Sequence, residues 1–381
     1  MVDRSWKHFN PVRVIFGAGT LNRLPQLVDS SRIALITTPG FRRRGVMEGI
    51  ERGFGERLTV VIDDVKPNPD LIDIEAQARR LGDTRPEVLL ALGGGSTIDT
   101  AKAVARLLGQ PPGTSLAALL RGEAQAKAAP ALPVVAVPTT SGTGAEVTPF
   151  GTVWDYREKK KYSVVGDDLF PRLAVLDPEL TLKLPAEVTI TSGLDSVSHA
   201  LESTWNRNAT PVSLALAMKS LQLSLRALPI VKDDPGNGEA RADMMQASML
   251  AGLAISQSRT ALAHAISYPL TASFDVPHGL ACSFTLPALL SFNAVADDGR
   301  LFDLARGLGY AGPDELAHSL SDMFERLEVG GYLLKYLPDR QSVMALAGRM
   351  FAPGRAENNL REASEDDVKR LVGDALDALS V

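Results

Sequence analysis

The chain has 381 residues, with 40 Lys+Arg against 45 Asp+Glu and a net charge of −5. That length supports two domains or one large one, each able to bury a sizeable core. Charged residues at 22% and apolar residues at 45% exclude a disordered or fibrous chain, and the mild negative balance gives no general reason to bind nucleic acid or an anionic membrane. A single cysteine, Cys282, excludes an intramolecular disulfide and a Cys-rich zinc site. The opening MVDRSWKHFN has no apolar core of a secretory signal, and no apolar run is read as long enough to span a membrane. The expected location is the cytoplasm.

The first half alternates short apolar runs with helical patterns. Val12–Phe16 reads as a strand, followed by Gly17-Ala18-Gly19. Ile33–Thr38 is a second, ended by Pro39-Gly40, and Leu58–Ile62 a third. Glu75–Leu81 has helical spacing. Val88–Leu92 is a fourth strand, and Ile98, Ala101, Val104, Ala105 and Leu108 follow it at helical spacing. Val134–Val137 and Leu173–Leu176 complete the strands. Strands alternating with helices predict a mostly parallel sheet covered on both faces. From Leu184-Pro185 onward the pattern is helical: Val188–Trp205, Pro211–Leu228, Glu239–Ser256, Leu262–Tyr268, Leu301–Leu308, Asp314–Leu327, Ser342–Arg349 and Glu365–Leu379. Pro235-Gly236-Asn237-Gly238 and Ala352-Pro353-Gly354 read as loops. The expected organisation is an α/β dinucleotide-binding domain over 1–182 and an all-helical domain over 183–381, with ligands in a cleft between them.

Two segments after strands carry candidate nucleotide chemistry. Gly93-Gly94-Gly95-Ser96-Thr97 joins a buried strand to a helix. Ser96 is placed to cap that helix, and the free N–H groups of its first turn suit a phosphate; a plain tight turn is the alternative. Thr139-Thr140-Ser141-Gly142-Thr143-Gly144 offers hydroxyls for a ribose or diphosphate, or is simply a polar loop. The G-x-G-x-x-G fingerprint is absent, because Gly17-Ala18-Gly19 continues as Thr20-Leu21-Asn22. That argues against a standard Rossmann domain but not against a dinucleotide.

Asp195 and His199 lie four apart in a helical segment and so share a face. His264 falls in another helical segment and His278 follows Pro277. One carboxylate and three imidazoles suit Zn²⁺ or Fe²⁺, although any single histidine is as readily a satisfied core residue. His8 and His318 sit in polar or terminal contexts and read as structural.

At these residues the sequence resembles the iron-containing (group III) alcohol dehydrogenase family. The resemblance rests on Asn10–Gly17, GGGSTIDTAK at 93–102, PTTSGTGAEVT at 138–148, GLDSVSHALES at 193–203 and the stretch from His264 to Pro277-His278-Gly279. It implies a Rossmann-like α/β domain and an all-α domain in a dehydroquinate synthase-like architecture. It implies metal ligation by Asp195, His199, His264 and His278, to Fe²⁺ or Zn²⁺. It implies NADPH or NADH contacts from Gly94, Gly95, Ser96, Asp99, Thr139, Thr140, Thr143 and Lys160, and a homodimer or higher homo-oligomer, often paired through the N-terminal strand. The implied chemistry is reduction of a small aldehyde to a primary alcohol. Lys159 and Lys161 extend the basic run at Lys160.

Three departures sharpen this. Tyr268 stands where many relatives carry a second histidine four residues after the third ligand; it is either a proton relay or pocket wall, with an ordinary pKa near 10. The second strand ends Thr37-Thr38-Pro39 without the aspartate that holds an adenosine ribose, and Arg42-Arg43-Arg44 follows. That favours the 2′-phosphate of NADPH on Arg42 and Arg43, the alternative being a solvated basic turn. Arg259 stands five residues before His264, where relatives acting on simple alcohols have small or apolar residues. A buried arginine there needs an anion, either substrate or a protein carboxylate. In combination these features look most like the branch that reduces phosphonoacetaldehyde to 2-hydroxyethylphosphonate. The rivals are a broad primary-alcohol dehydrogenase on neutral aliphatic substrates, a sugar-phosphate cyclase of the dehydroquinate synthase type, and a non-enzymatic nucleotide-binding protein. Against the cyclase stand the Asp195/His199 pair and Pro277-His278-Gly279.

Overall fold

A computed structural model describes residues 5–123, 130–158, 160–351 and 354–380. Lys159, the first four residues of the opening and the Ala352-Pro353 part of one expected loop lie outside the described residues. The chain divides into two compact units. One comprises residues 10–140 and 145–181; the other runs from 182 onward and takes in 141–144 and the stretch before Asn10.

The α/β unit is built on six parallel strands: β1 (Arg13–Phe16), β2 (Ile33–Thr37), β3 (Leu58–Ile62), β4 (Val88–Gly93), β5 (Val134–Pro138) and β8 (Leu173–Leu176), in the order β1-β8-β5-β4-β2-β3. Consecutive residues of the central strands point into two separate cores. Ala34, Ile36, Leu89, Ala91, Val134 and Ala136 join one, with Ile74, Ile98 and Val104 from the helices α1 (Leu71–Gly82) and α2 (Gly95–Leu108). Ile33, Leu35, Val88, Leu90, Val135 and Val137 join the other, with Met47, Ile50 and Phe54. This is why the strands read as continuous apolar runs: both faces are covered, so no polar face exists. Strand order reverses between β2 and β4, so the segment leaving β4 lies at the topological switch point, beyond the carboxyl ends of the strands.

An antiparallel hairpin, β6 (Phe150–Asp155) and β7 (Lys160–Val165), adds to this unit and is not read from the sequence. Its residues mix Gly, Thr and Lys with apolar ones, so no buried run marks it. Lys102 of α2 anchors its start. The Lys102 ammonium is fully buried and donates to the carbonyls of Ala145 (2.6 Å), Thr148 (2.7 Å) and Phe150 (2.7 Å) and to the Thr148 hydroxyl (3.1 Å). Burial pushes its pKa down to about 8.

The second unit is helical, and its main elements are α3 (Ala186–Thr204), α4 (Pro211–Asp233), α5 (Gly238–Ser258), α6 (Leu262–Phe274), α7 (His278–Ala281), α8 (Leu286–Ala294), α9 (Pro313–Arg326) and α10 (Glu365–Ala378). Helices α3, α4 and α5 pack mutually. One expectation is corrected here: α4, at 23 residues, is long and apolar enough to cross a membrane by length and composition. Half of that window is buried, and Ala217, Leu221 and Leu228 sit in the helical core. The sequence reading underrated it because Lys219, Arg226 and Lys232 interrupt the run.

Candidate metal centre and nucleotide segments

Helix α3 presents Asp195, His199 and Glu202 on one stripe, at spacings of four and three residues. All three are buried, at 2%, 5% and 0% exposure. His264, 2% exposed, enters from the first turn of α6. His278 opens α7, where Gly279 lets the backbone press against α3: a Cβ there would lie 1.9 Å from the Thr191 carbonyl oxygen and 3.0 Å from the Asp195 Cβ. A side chain at 279 would therefore push His278 off the site.

The structure brings the four expected donors together. The His199 and His264 Nε2 atoms lie 3.5 and 3.7 Å from Asp195 Oδ1. The rings of His199 and His264 stack at 4.8 Å, and His264 meets His278 edge-on at 5.1 Å. Asp195, His264, His278 and Cys282 each offer a donor atom within 4.8 Å of the others. Tautomers follow from the outer partners. His264 Nδ1 lies 2.5 Å from Glu202 Oε2, and His199 Nδ1 lies 3.4 Å from the Gly142 carbonyl. Each Nδ1 therefore carries its proton outward, and in the neutral ring this leaves the lone pair on Nε2. Both lone pairs face a carboxylate oxygen, and His264 Nε2 is buried with no hydrogen-bond partner among the described residues. Lone pairs and a carboxylate converging in a buried pocket repel unless a cation stands between them, so these residues fit a divalent metal. Burial alone would raise the Asp195 and Glu202 carboxyls. The positive charge of protonated imidazoles beside them, that of His264 above all, overcomes that and holds both below the usual carboxylate range, the role a bound cation would otherwise fill.

Two residues of this cluster were not picked out from the sequence. Glu202 orients His264 through both its ring and its backbone N–H (3.2 Å). Its signal was present, seven residues after Asp195 on the same helical stripe. Cys282 approaches Asp195 Oδ1 at 3.3 Å, four residues after His278, and burial pushes its thiol up to about 11. As the single cysteine it entered the sequence analysis only to exclude a disulfide and a Cys-rich zinc site.

Tyr268 lies beside the cluster, its ring 6.5 Å from that of His278 and inclined 21°. Arg259 caps α5 at φ 66°, ψ 179°, a backbone conformation that essentially only glycine adopts freely. The corner is held by amides: Asn206 donates to the Arg259 carbonyl (3.1 Å) and Asn358 to that of Thr260 (2.9 Å). His8 is exposed, and the exposed His318 pairs loosely with Asp322 at 3.8 Å.

In the α/β unit, Gly94, Gly95 and Ser96 open α2, and Thr139 and Thr140 leave the adjacent strand; the Thr139 N–H donates to the Gly93 carbonyl at 3.1 Å. The two segments thus lie side by side. Thr143 belongs to the other unit. Ser96 does not cap α2: Gly94 takes that position, and the Ser96 hydroxyl accepts from the Asn68 N–H at 3.1 Å. Asp99 accepts from the Thr152 N–H at 2.8 Å and so tethers the hairpin. Lys160 is exposed at the start of β7, 3.6 Å from Glu158. Arg42 is exposed but not unpaired. It sits in a short helix, Pro39–Arg43, and pairs with Asp63 (3.0 Å) and Glu51 (3.3 Å). Arg43 is exposed in the same turn.

A parallel α/β unit with two candidate nucleotide segments, followed by a helical unit holding a His/Asp cluster, is the plan of a nucleotide-dependent metalloenzyme. Residues 11–178 match the model of iron-containing alcohol dehydrogenases, and 189–376 match that of the C-terminal part of the same family. The chain belongs to the iron-containing alcohol dehydrogenase family. It is 35% identical over 370 residues to phosphonoacetaldehyde reductase of Streptomyces viridochromogenes, covering 94% of this chain and 91% of that one. It is 30% identical to sulfoacetaldehyde reductase of Bilophila wadsworthia, covering 96% and 97%. The crystal structure of sulfoacetaldehyde reductase from Bifidobacterium kashiwanohense in complex with NAD⁺ superimposes with a TM-score of 0.90 at 31% identity, covering 97% and 98%. The chain is thus an NAD(P)-dependent aldehyde reductase or alcohol dehydrogenase of the iron type.

Proposed function

We propose that the chain reduces a two-carbon aldehyde bearing a tetrahedral anionic head, with phosphonoacetaldehyde as the first candidate and 2-hydroxyethylphosphonate as the product. The observation that carries the reaction class is the pair of imidazole Nε2 atoms facing Asp195 Oδ1. Asp195, His199, His264 and His278 would hold one Fe²⁺, with Zn²⁺ the alternative. When bound, the metal supplies Lewis-acid polarisation of the carbonyl oxygen and the nicotinamide supplies hydride. The overall balance is aldehyde, NADPH and one proton in, alcohol and NADP⁺ out.

The protein's own residues contribute positioning. Glu202 fixes the His264 ring through Nδ1, so that Nε2 faces inward without rotamer searching. Gly142 does the same for His199. Burial of Asp195, His264 and Glu202 excludes water from the donor set. Tyr268, beside His278, would pass the proton that the product oxygen requires. At the strained corner, Arg259 would meet the anionic head.

NADPH is the preferred cofactor in this reading, through Arg43 and through the lack of an acid after β2; Arg42 must release Asp63 and Glu51 to contribute. Gly94, Gly95, Ser96, Asp99, Thr139, Thr140, Thr143 and Lys160 would contact the dinucleotide. β1 is an edge strand with only β8 beside it, which supports pairing of two chains through it. A cytoplasmic location fits the same reading.

The substrate is tested by NADPH oxidation with Fe²⁺-loaded enzyme, comparing kcat/KM for phosphonoacetaldehyde and butanal. A preference of about 10²-fold, roughly 2.7 kcal/mol of transition-state binding, is expected. Equal or reversed values would return the substrate to neutral aliphatic aldehydes. Arg259→Ala should raise KM for the anionic aldehyde far more than for butanal; equal effects would make Arg259 structural.

A further inference from the structure

A second guanidinium lies close to the metal cluster and is assigned no role above. Arg355 precedes a single helical turn, Ala356–Asn358, that packs against α6, the helix carrying His264 and Tyr268. Its Nε donates to the Tyr268 hydroxyl at 3.3 Å, and the Tyr268 ring lies in turn against His278. The chain from a metal-site histidine to this arginine therefore has one link.

The turn is fastened in place. Besides its bond to Thr260, Asn358 accepts from the Arg207 N–H through its carbonyl (2.8 Å) and from the Asn208 amide through its side chain (3.3 Å). Arg355 is half-buried, and its Nη1 donates to the Gly354 carbonyl at 2.9 Å. Among the described residues no carboxylate oxygen lies within 4.0 Å of its guanidinium. A positive charge partly withdrawn from water, positioned by two neutral acceptors and neutralised by neither, favours an anion.

We propose that Arg355, positioned by Tyr268, recognises the tetrahedral oxyanion of the substrate and so sets its specificity. The planar fork keeps Nη2 for a phosphonate or sulfonate oxygen. A neutral chain in the same place gains nothing from the charge and strips its hydration, which disfavours aliphatic aldehydes. The assignment rests on the anionic-substrate reading above and adds to it a residue that the sequence did not mark.

The test is kcat/KM for phosphonoacetaldehyde, sulfoacetaldehyde and butanal, measured for wild type, Arg355→Gln, Arg355→Lys and Tyr268→Phe. In Arg355→Gln the ratio of anionic to neutral kcat/KM should fall about 30-fold, mainly through KM, because a bond to a charged group is lost in ground and transition state alike. Arg355→Lys should recover part of the ratio and Tyr268→Phe should lose part of it. Binding of 2-hydroxyethylphosphonate by calorimetry should weaken in parallel, independently of turnover. A larger loss with phosphonoacetaldehyde than with sulfoacetaldehyde identifies a dianion as the preferred head, and the reverse a monoanion. A wild-type anion preference that survives Arg355→Gln overturns the assignment alone. Absence of any anion preference in the wild type overturns the substrate reading and the assignment with it.

Discussion

The two units prepare for their ligands in opposite ways. In the α/β unit the candidate nucleotide segments are short, contiguous and made largely of backbone and hydroxyl groups at the ends of β4 and β5. In the helical unit the candidate centre is a set of buried and half-buried side chains collected from α3, α6, α7 and the cap of α7, with Asp195 and Cys282 separated by 87 residues in the chain. A backbone-based grip spreads its energy over many weak groups, so single side chains matter little. A buried donor set concentrates it on a few atoms, so each one matters greatly. The comparison is broken if side-chain substitutions in the two units cost function equally.

The largest effect is expected at His264. His264→Ala should abolish metal binding and lower kcat by at least about 10³-fold, since it removes a donor and leaves the buried Glu202 carboxylate unpaired. Metal content by atomic absorption beside NADPH oxidation checks this; full activity would remove His264 from the site. Glu202→Gln keeps the shape and weakens the hold on the ring. It should reduce metal affinity about 10–100-fold, with activity partly restored at high metal. An unchanged metal titration would make Glu202 a packing residue.

The sharpest contrast comes from the α/β unit. Lys102 is as buried as Glu202, yet its partners are carbonyls that shape the hairpin and not a ligand. Lys102→Met should cost about 3 kcal/mol of stability by removing the buried ammonium that gathers those carbonyls, while metal content per folded chain stays intact. Denaturant unfolding together with metal analysis separates the two effects. The smallest effect lies far from both sites, in α10, whose first turn is a capping box between Ser364 and Asp367. Ser364→Ala should cost about 1 kcal/mol. The Ser364 N–H and hydroxyl, with Arg370, hold the Asp367 carboxyl down to about 2, against an ordinary 3.8. A depressed carboxyl contributes stability above its ordinary value, and that contribution is lost as the pH falls from about 4 towards 2. Ser364→Ala should therefore flatten the acid limb of the stability curve in that window.

The same contrast explains what the sequence disclosed. The parallel strands were legible because burial on both faces leaves unbroken apolar runs such as Ile33–Thr37. Asp195 and His199 were legible because helical spacing alone places them together. His264 and His278 needed the family resemblance, since nothing local links them to α3. The β6–β7 hairpin escaped because Gly, Thr, Ser and Lys interrupt its apolar residues. Ser96 was misplaced by two positions: capping chemistry names residue types, but Gly94 was equally able to leave the helix. Arg42 could not be read because its partners, Glu51 and Asp63, come from two other elements. Arg355 was invisible because its meaning depends on a single contact, with Tyr268, made 87 residues away in the chain.

The most direct test of the central claim is metal stoichiometry measured alongside activity. Enzyme stripped by chelator and reloaded with Fe²⁺ should bind one metal per chain and regain NADPH-dependent aldehyde reduction in proportion to occupancy, and the His264→Ala enzyme should do neither. Full aldehyde reduction by metal-free enzyme, or one equivalent of tightly bound metal in His264→Ala, would contradict it.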